Sequence, residues 1–192
     1  MAGCGVNAPM TELSTTAERF FERYAFPYWL REHSRLVGAI AAALARARAA
    51  AGDPVDIEAV TLAGYLHDIG RSPLVAGDPR EHNELSALIL AAEGLPECVE
   101  PARRHAIYTV LDPRTAPRTT AEKLVYLADR RGGMKVESVE ERAKDTAARH
   151  PKFAADIARA IPIAKDIERD VFAGLPFGPD ELAAHVTVPL PK

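Results

Sequence analysis

Residues 27–52 read PYWLREHSRLVGAIAAALARARAAAG. Proline suits the first turn of a helix, Leu30, Val37, Ile40 and Leu44 recur at helical spacing, and Gly52 marks an end. The alanine-rich second half has high intrinsic helicity, so the stretch predicts one long helix. Its alanine face is small enough for another helix to pack closely, in this chain or in a second copy. His33 falls beside Leu30, Val37 and Ile40 on the apolar stripe, which turns an imidazole inward.

Downstream, Asp53 reads as an N-cap with Pro54 at the first helical position, and Val60, Ala63 and Leu66 carry the apolar face to the stretch AGYLHDIGRSP at 63–73. His67 and Asp68 therefore sit side by side at a helix C-terminus, ahead of Gly70 and Pro73. An ionised carboxylate directed at a core costs several kcal/mol or more unless it is paired or bound to a metal. Something must compensate for Asp68.

The rest of the chain reads as helices too. Residues 1–13 form a flexible lead-in and 14–24 a short amphipathic helix stopped before Pro27. The turn formers of 71–81 make a loop, followed by a helix from His82 closed by Gly94. Pro101 predicts a short turn and then a helix from Ala102. Residues 112–118 form a second loop. Thr119 with Glu122 and Ser138 with Glu141 are capping boxes opening two further helices, and a last one covers 151–173 with a kink at Pro162. The tail, 176–192, holds a short helical turn and the only alternating stretch, VTV. The expectation is an all-α, single-domain helical bundle of six to eight helices over 14–175.

Composition narrows the function. The 192 residues are 47% hydrophobic and 27% charged, near the globular average, and the formal net charge of -3 argues against nucleic-acid binding. Cys4 and Cys98 stand far apart, which suggests neither a disulfide framework nor a zinc ribbon. With no signal-peptide pattern and no apolar run near the ~20 residues needed to span a bilayer, no membrane association is expected, and the cytoplasm is the expected location.

Asp129 follows Val125 by one helical turn in LVYLADR, so a second carboxylate faces the core. Singly, a histidine on an apolar stripe is usually a core residue and an aspartate near a helix end a cap. Two inward acids and two inward histidines from three helices suggest one site, because a metal ion accepts neutral imidazole and carboxylate together.

The order His33, then His67-Asp68 in LHDIG, then Asp129 in YLADR resembles the HD-domain superfamily of metal-dependent phosphohydrolases, from about residue 27 to residue 142. The resemblance implies an all-α bundle with a metal held by these four side chains. His82 and His105 extend the order to six ligands, similar to the dinuclear subgroup that includes bacterial diadenosine tetraphosphate hydrolases. That likeness implies two divalent ions (Fe, Mn, Co, Ni or Zn), with His82, His105 and a bridging, catalytic Asp68 on the second. A water shared by the metals would attack phosphorus in line, and Arg71 and Arg130 would neutralise phosphate charge. The chain has Arg71 where those hydrolases typically have lysine, AIYTVL where they have a threonine-rich stretch, and no GYP element of the cyclic-di-GMP phosphodiesterases. The expected activity is hydrolysis of a nucleotide or other small phosphate ester. The alternatives are a one-metal 5'-nucleotidase, with His82 and His105 lining the pocket, and a non-catalytic nucleotide-binding sensor. A homo-oligomer is a further expectation.

Overall fold

The computed structural model describes residues 8–188, which hold nine α-helices and no β-strand beyond one isolated bridge between Gly132 and Val136. The helices are α1 (Ala8–Arg23), α2 (Tyr28–Ala50), α3 (Ile57–Leu66), α4 (His82–Ala92), α5 (Pro96–Arg103), α6 (Thr120–Arg131), α7 (Val139–Arg149), α8 (Ala154–Phe172) and the four-residue α9 (Leu182–His185). The all-α class holds, with more helices than the sequence suggested. No described helix is long and apolar enough to cross a membrane.

Helix α2 is the axis, packed most extensively on α3 and also on α6. Small residues set how closely α3 approaches: a Cβ on Gly38 would lie 2.4 Å from the Tyr65 ring, and one on Gly64 2.8 Å from the Ala41 Cβ. Residues 39–45 of α2 are fully or almost fully buried, so the alanine face is taken up within the chain. Phe21, Leu30, Leu44, Leu66, Ile69, Leu90, Leu124 and Leu127 fill the space between the helices.

Several boundaries differ from expectation. Helix α1 starts at Ala8, so the lead-in is helical from there, and residues 1–7, including Cys4, lie outside the described part. Its end is set by backbone chemistry before Pro27. Ala25 takes a left-handed φ of 50°, while Phe26 N–H bonds to Phe21 O (2.8 Å) and Ala25 N–H to Glu22 O (3.0 Å). This closing motif normally uses glycine, and the Phe21–Phe26 ring stack at 4.8 Å compensates. Helix α3 is capped by Asp56, which accepts from Ala59 N–H, whereas Asp53 pairs with Arg48 at the end of α2. Pro101 lies inside α5 near its C-terminus, where it removes one amide donor without stopping so short a helix; the segment after it is a 3-10 turn over Ile107–Leu111.

Both capping boxes form as read, and Gly94 takes φ 75° after α4. Described residues of the tail pack on the helices. Phe177 and Leu182 join the core, and buried Arg131 bonds both Glu168 Oε1 (2.5 Å) and Pro179 O (2.7 Å), which ties α6, α8 and the tail together. VTV forms no strand.

Candidate metal centre

Five elements deliver six side chains to one place. His33 comes from α2, His67 and Asp68 from the end of α3, Asp129 from the last turn of α6, His82 from the first residue of α4, and His105 from the turn after α5. His67, Asp68, His105 and Asp129 are buried; His33 and His82 keep side-chain exposures of 12% and 17%, which places the opening beside them. All six expected ligands are together. His150 and His185 are elsewhere, His185 stacked on Phe177.

Asp68 is central. Its Oδ2 lies 3.8 Å from His33 Nε2 and 3.6 Å from His67 Nε2, and its Oδ1 3.2 Å from His105 Nε2 and 3.5 Å from His82 Nε2. Asp129 Oδ1 lies 3.2 Å from His33 Nε2 and 3.8 Å from His67 Nε2. The groups His33/His67/Asp129 and His67/Asp68/His105 each bring three donor atoms within 4.8 Å of one another.

The outer hydrogen bonds fix the proton on each ring. His67 Nδ1 lies 2.8 Å from Gly64 O, and His105 Nδ1 2.6 Å from Ala102 O. A carbonyl only accepts, so Nδ1 carries the proton and Nε2 turns a lone pair inward. Arg71 Nη2 donates to His82 Nε2 at 3.0 Å, so that nitrogen is an acceptor too. His82 Nε2 also stands 3.3 Å from His105 Nε2, so two acceptor nitrogens lie close together. Buried His67 Nε2 and Asp68 Oδ1 have no hydrogen-bond partner at all. Arg71 Nε is 2.8 Å from Asp68 Oδ1, an ion-pair distance, but is not aligned as a hydrogen bond. Acceptors converging on acceptors repel unless a cation lies among them, so the residues fit a metal.

Charge states agree. Burial lowers His67 to about 3, against the pull of Asp68, and burial likewise lowers His82 to about 3. Burial would raise Asp68, but Arg71 and the histidines outweigh it and hold the carboxyl well below its usual range. For Asp129 the same burial is outweighed by Arg130, His33 and His67. At neutral pH His67 and His82 are neutral imidazoles and both carboxylates are ionised, the forms that bind metal.

An acid-lability prediction follows for the metal-free protein. Each of the two histidines has a folded pKa below the unfolded 6.5, so the unfolded chain gains protons first and stability falls as pH drops from 6.5 toward 3. For fully buried His67 the loss is on the order of 1 kcal/mol per pH unit. The carboxylates add a further loss only below about 3.8, their unfolded value, as pH falls through their depressed folded values. Thermal melts in chelator should fall steadily from pH 7 to pH 5, and His67→Phe should flatten the slope. A melting temperature constant over that range would contradict the buried neutral imidazole.

Backbone fit holds the second half of the cluster. A Cβ on Gly70 would lie 2.1 Å from His82 O, so the turn after Asp68 presses on the start of α4, and Gly70 N–H donates to Ser86 Oγ at 2.9 Å. Tyr108 OH donates to Asn83 Oδ1 (2.8 Å) and Asn83 Nδ2 to Arg103 O (2.6 Å), which locks α4 to the His105 turn.

The arginines divide. Arg71 is 39% exposed at the opening, as a substrate-facing cation should be. Arg130 is corrected: it is buried, ion-paired with Asp129 and stacked over Tyr126, so its charge is used on a ligand carboxylate. Arg142 of α7, absent from the sequence reading, reaches within 3.8 Å of Asp129 Oδ1. Its one signal was the three-residue step from buried Val139 in a helix otherwise dominated by charge. Cys98, the one described cysteine, is buried with its thiol pushed up to about 12, unsuited to nucleophilic attack. A surface depression between α8 and residues 175–181 contains none of the cluster.

The family model of the HD domain matches residues 30–134. The chain belongs to the HD domain family, whose members bind divalent metals and are mostly metal-dependent hydrolases. No curated protein and no solved structure matches the chain.

Proposed function

We propose that the protein is a metal-dependent phosphohydrolase of a nucleotide or other small phosphate ester, with His33, His67, Asp68 and Asp129 holding one divalent ion and His82, His105 and Asp68 a second. The observation that carries this reading is the convergence of imidazole Nε2 atoms and carboxylate oxygens on one another, His82 Nε2 against His105 Nε2 at 3.3 Å among them, with buried His67 Nε2 and Asp68 Oδ1 left without a hydrogen-bond partner. Divalent ions bound there supply activation of water near neutral pH and stabilisation of the incoming and leaving oxygens. The protein's own part is to hold His67 and His105 in one tautomer through Gly64 O and Ala102 O, and to keep both carboxylates ionised. Arg71 offers its guanidinium to phosphate at the opening. Trp29, the only tryptophan, is 57% exposed one helical turn before His33, which makes it a candidate flat face for a nucleobase.

A one-metal nucleotidase is the second reading. It draws on the hydrogen bond from Arg71 to His82 Nε2, which a metal on that nitrogen would have to break. The test of the main reading is chelation followed by a panel of nucleotides, dinucleoside polyphosphates and generic phosphoesters with each divalent metal. Chelation should remove activity and lower the melting temperature by roughly 5–10 °C, since a ligand held near a hundred times its Kd contributes about 2.7 kcal/mol. Full activity after chelation would mean the cluster is not a catalytic metal site.

A further inference from the structure

We propose that Arg142 is an anion-binding residue that grips a phosphoryl oxygen of the substrate at the Asp129 end of the site, opposite Arg71. The inference rests on the phosphohydrolase reading and adds a substrate contact to it.

Charge balance is the first argument. Two carboxylates, Asp68 and Asp129, face three guanidiniums: Arg71 lies 2.8 Å from Asp68, Arg130 closes on Asp129, and Arg142 Nη2 stands 3.8 Å from Asp129 Oδ1. Arg130 already neutralises Asp129, so Arg142 is the surplus cation. Its other carboxylate neighbour, Asp145, is half exposed and accepts a long hydrogen bond from Nη1 at 3.4 Å, while the same Oδ2 takes the Arg149 guanidinium at 2.8 Å. The Arg142 side chain is only 13% exposed and its buried Nε has no partner. A guanidinium taken out of water with so little pairing is expensive, and divalent ions on the neighbouring ligands would add positive charge. An anion relieves both costs.

Position is the second argument. Asp129 Oδ1 is the atom that His33 Nε2 and His67 Nε2 approach at 3.2 and 3.8 Å, so Arg142 borders the same oxygen as the first triad of candidate ligands. An anion held at that triad is therefore within reach of the guanidinium. A planar fork of N–H donors matches phosphate oxygens better than a point charge does.

The decisive variant is Arg142→Met in the full chain, which keeps an unbranched apolar stem of similar reach and removes the buried charge. Inorganic phosphate is the probe, titrated calorimetrically into metal-loaded protein. Wild type should bind phosphate, and R142M should bind it about 10- to 100-fold more weakly, the range for a hydrogen bond to a charged group, at unchanged metal content. KM for a phosphoester should rise by a similar factor, and Arg142→Lys should recover part of the loss. A purely structural Arg142 would instead change the melting temperature and leave phosphate affinity alone, which overturns the proposal. If R142M does not fold, hydrogen exchange on wild type decides: phosphate should slow exchange over 139–149, and no slowing there overturns the proposal as well. Failure of the underlying reading is separate, because metal-loaded wild type would then neither bind phosphate nor hydrolyse any phosphoester.

Discussion

Replacing Asp68 by asparagine or alanine should abolish turnover, with kcat lower by at least about 10³-fold, more than any other single change in the cluster. Among the described residues, no other carboxylate lies within 4 Å of imidazoles from both halves. Asp68 Oδ2 lies 3.8 and 3.6 Å from His33 and His67, and Oδ1 3.2 and 3.5 Å from His105 and His82, whereas Asp129 lies near His33 and His67 alone. Asparagine keeps the volume and removes the charge that would offset a shared pair of cations. Folding should suffer less than activity, because Arg71, the cation left behind, is at the opening and can be rehydrated. Circular dichroism and a thermal melt on the metal-free variant check that separation. An Asp68→Ala protein that still turned over and still bound two ions would remove the bridging role.

How much of this could be read in advance depended on whether the deciding interaction was local. Thr119 with Glu122 and Ser138 with Glu141 satisfy amides within their own helix turns, so both starts were legible. The apolar stripes through His33, His67 and Asp129 were legible because burial repeats at helical period. Asp53 and Asp56 are equivalent as caps until Arg48 claims one of them, and that pairing depends on how the α2–α3 turn folds. Ala25 carries no sign that it will close a helix left-handed; the Phe21–Phe26 stack decides it. Arg130 and Arg142 show the same limit at the site. Adjacency to Asp129 suggested Arg130 for the substrate, yet adjacency is what lets it fold back onto that carboxylate, while a residue thirteen positions along the chain arrives from another helix. Arginine beside a ligand in sequence can be that ligand's own counter-charge.

Fully loaded protein should contain about two ions per chain, and His82→Ala and His105→Ala should each bring the count toward one while cutting kcat/KM by about 10²-fold or more. The two imidazoles belong to a part of the site held separately from the first triad. His82 rests on the contact of Gly70 with its own carbonyl, and His105 on the hydrogen bond to Ala102, while His33, His67 and Asp129 are carried by α2, α3 and α6. Their loss leaves those three donors within 4.8 Å of one another, enough to retain an ion. The variants also differ in a checkable way. His105 is buried and removing it opens a cavity, so His105→Ala should lower the melting temperature even without metal; His82, at 17% exposure, should cost little there. Metal analysis with a thermal melt on both variants thus separates lost ligation from lost packing. If loaded wild type holds one ion and both variants keep it, the pair lines the substrate pocket and the one-metal nucleotidase is the better account. Arg71 would then keep its hydrogen bond to His82 Nε2 throughout turnover, and Arg71→Ala should weaken substrate binding without changing the metal count.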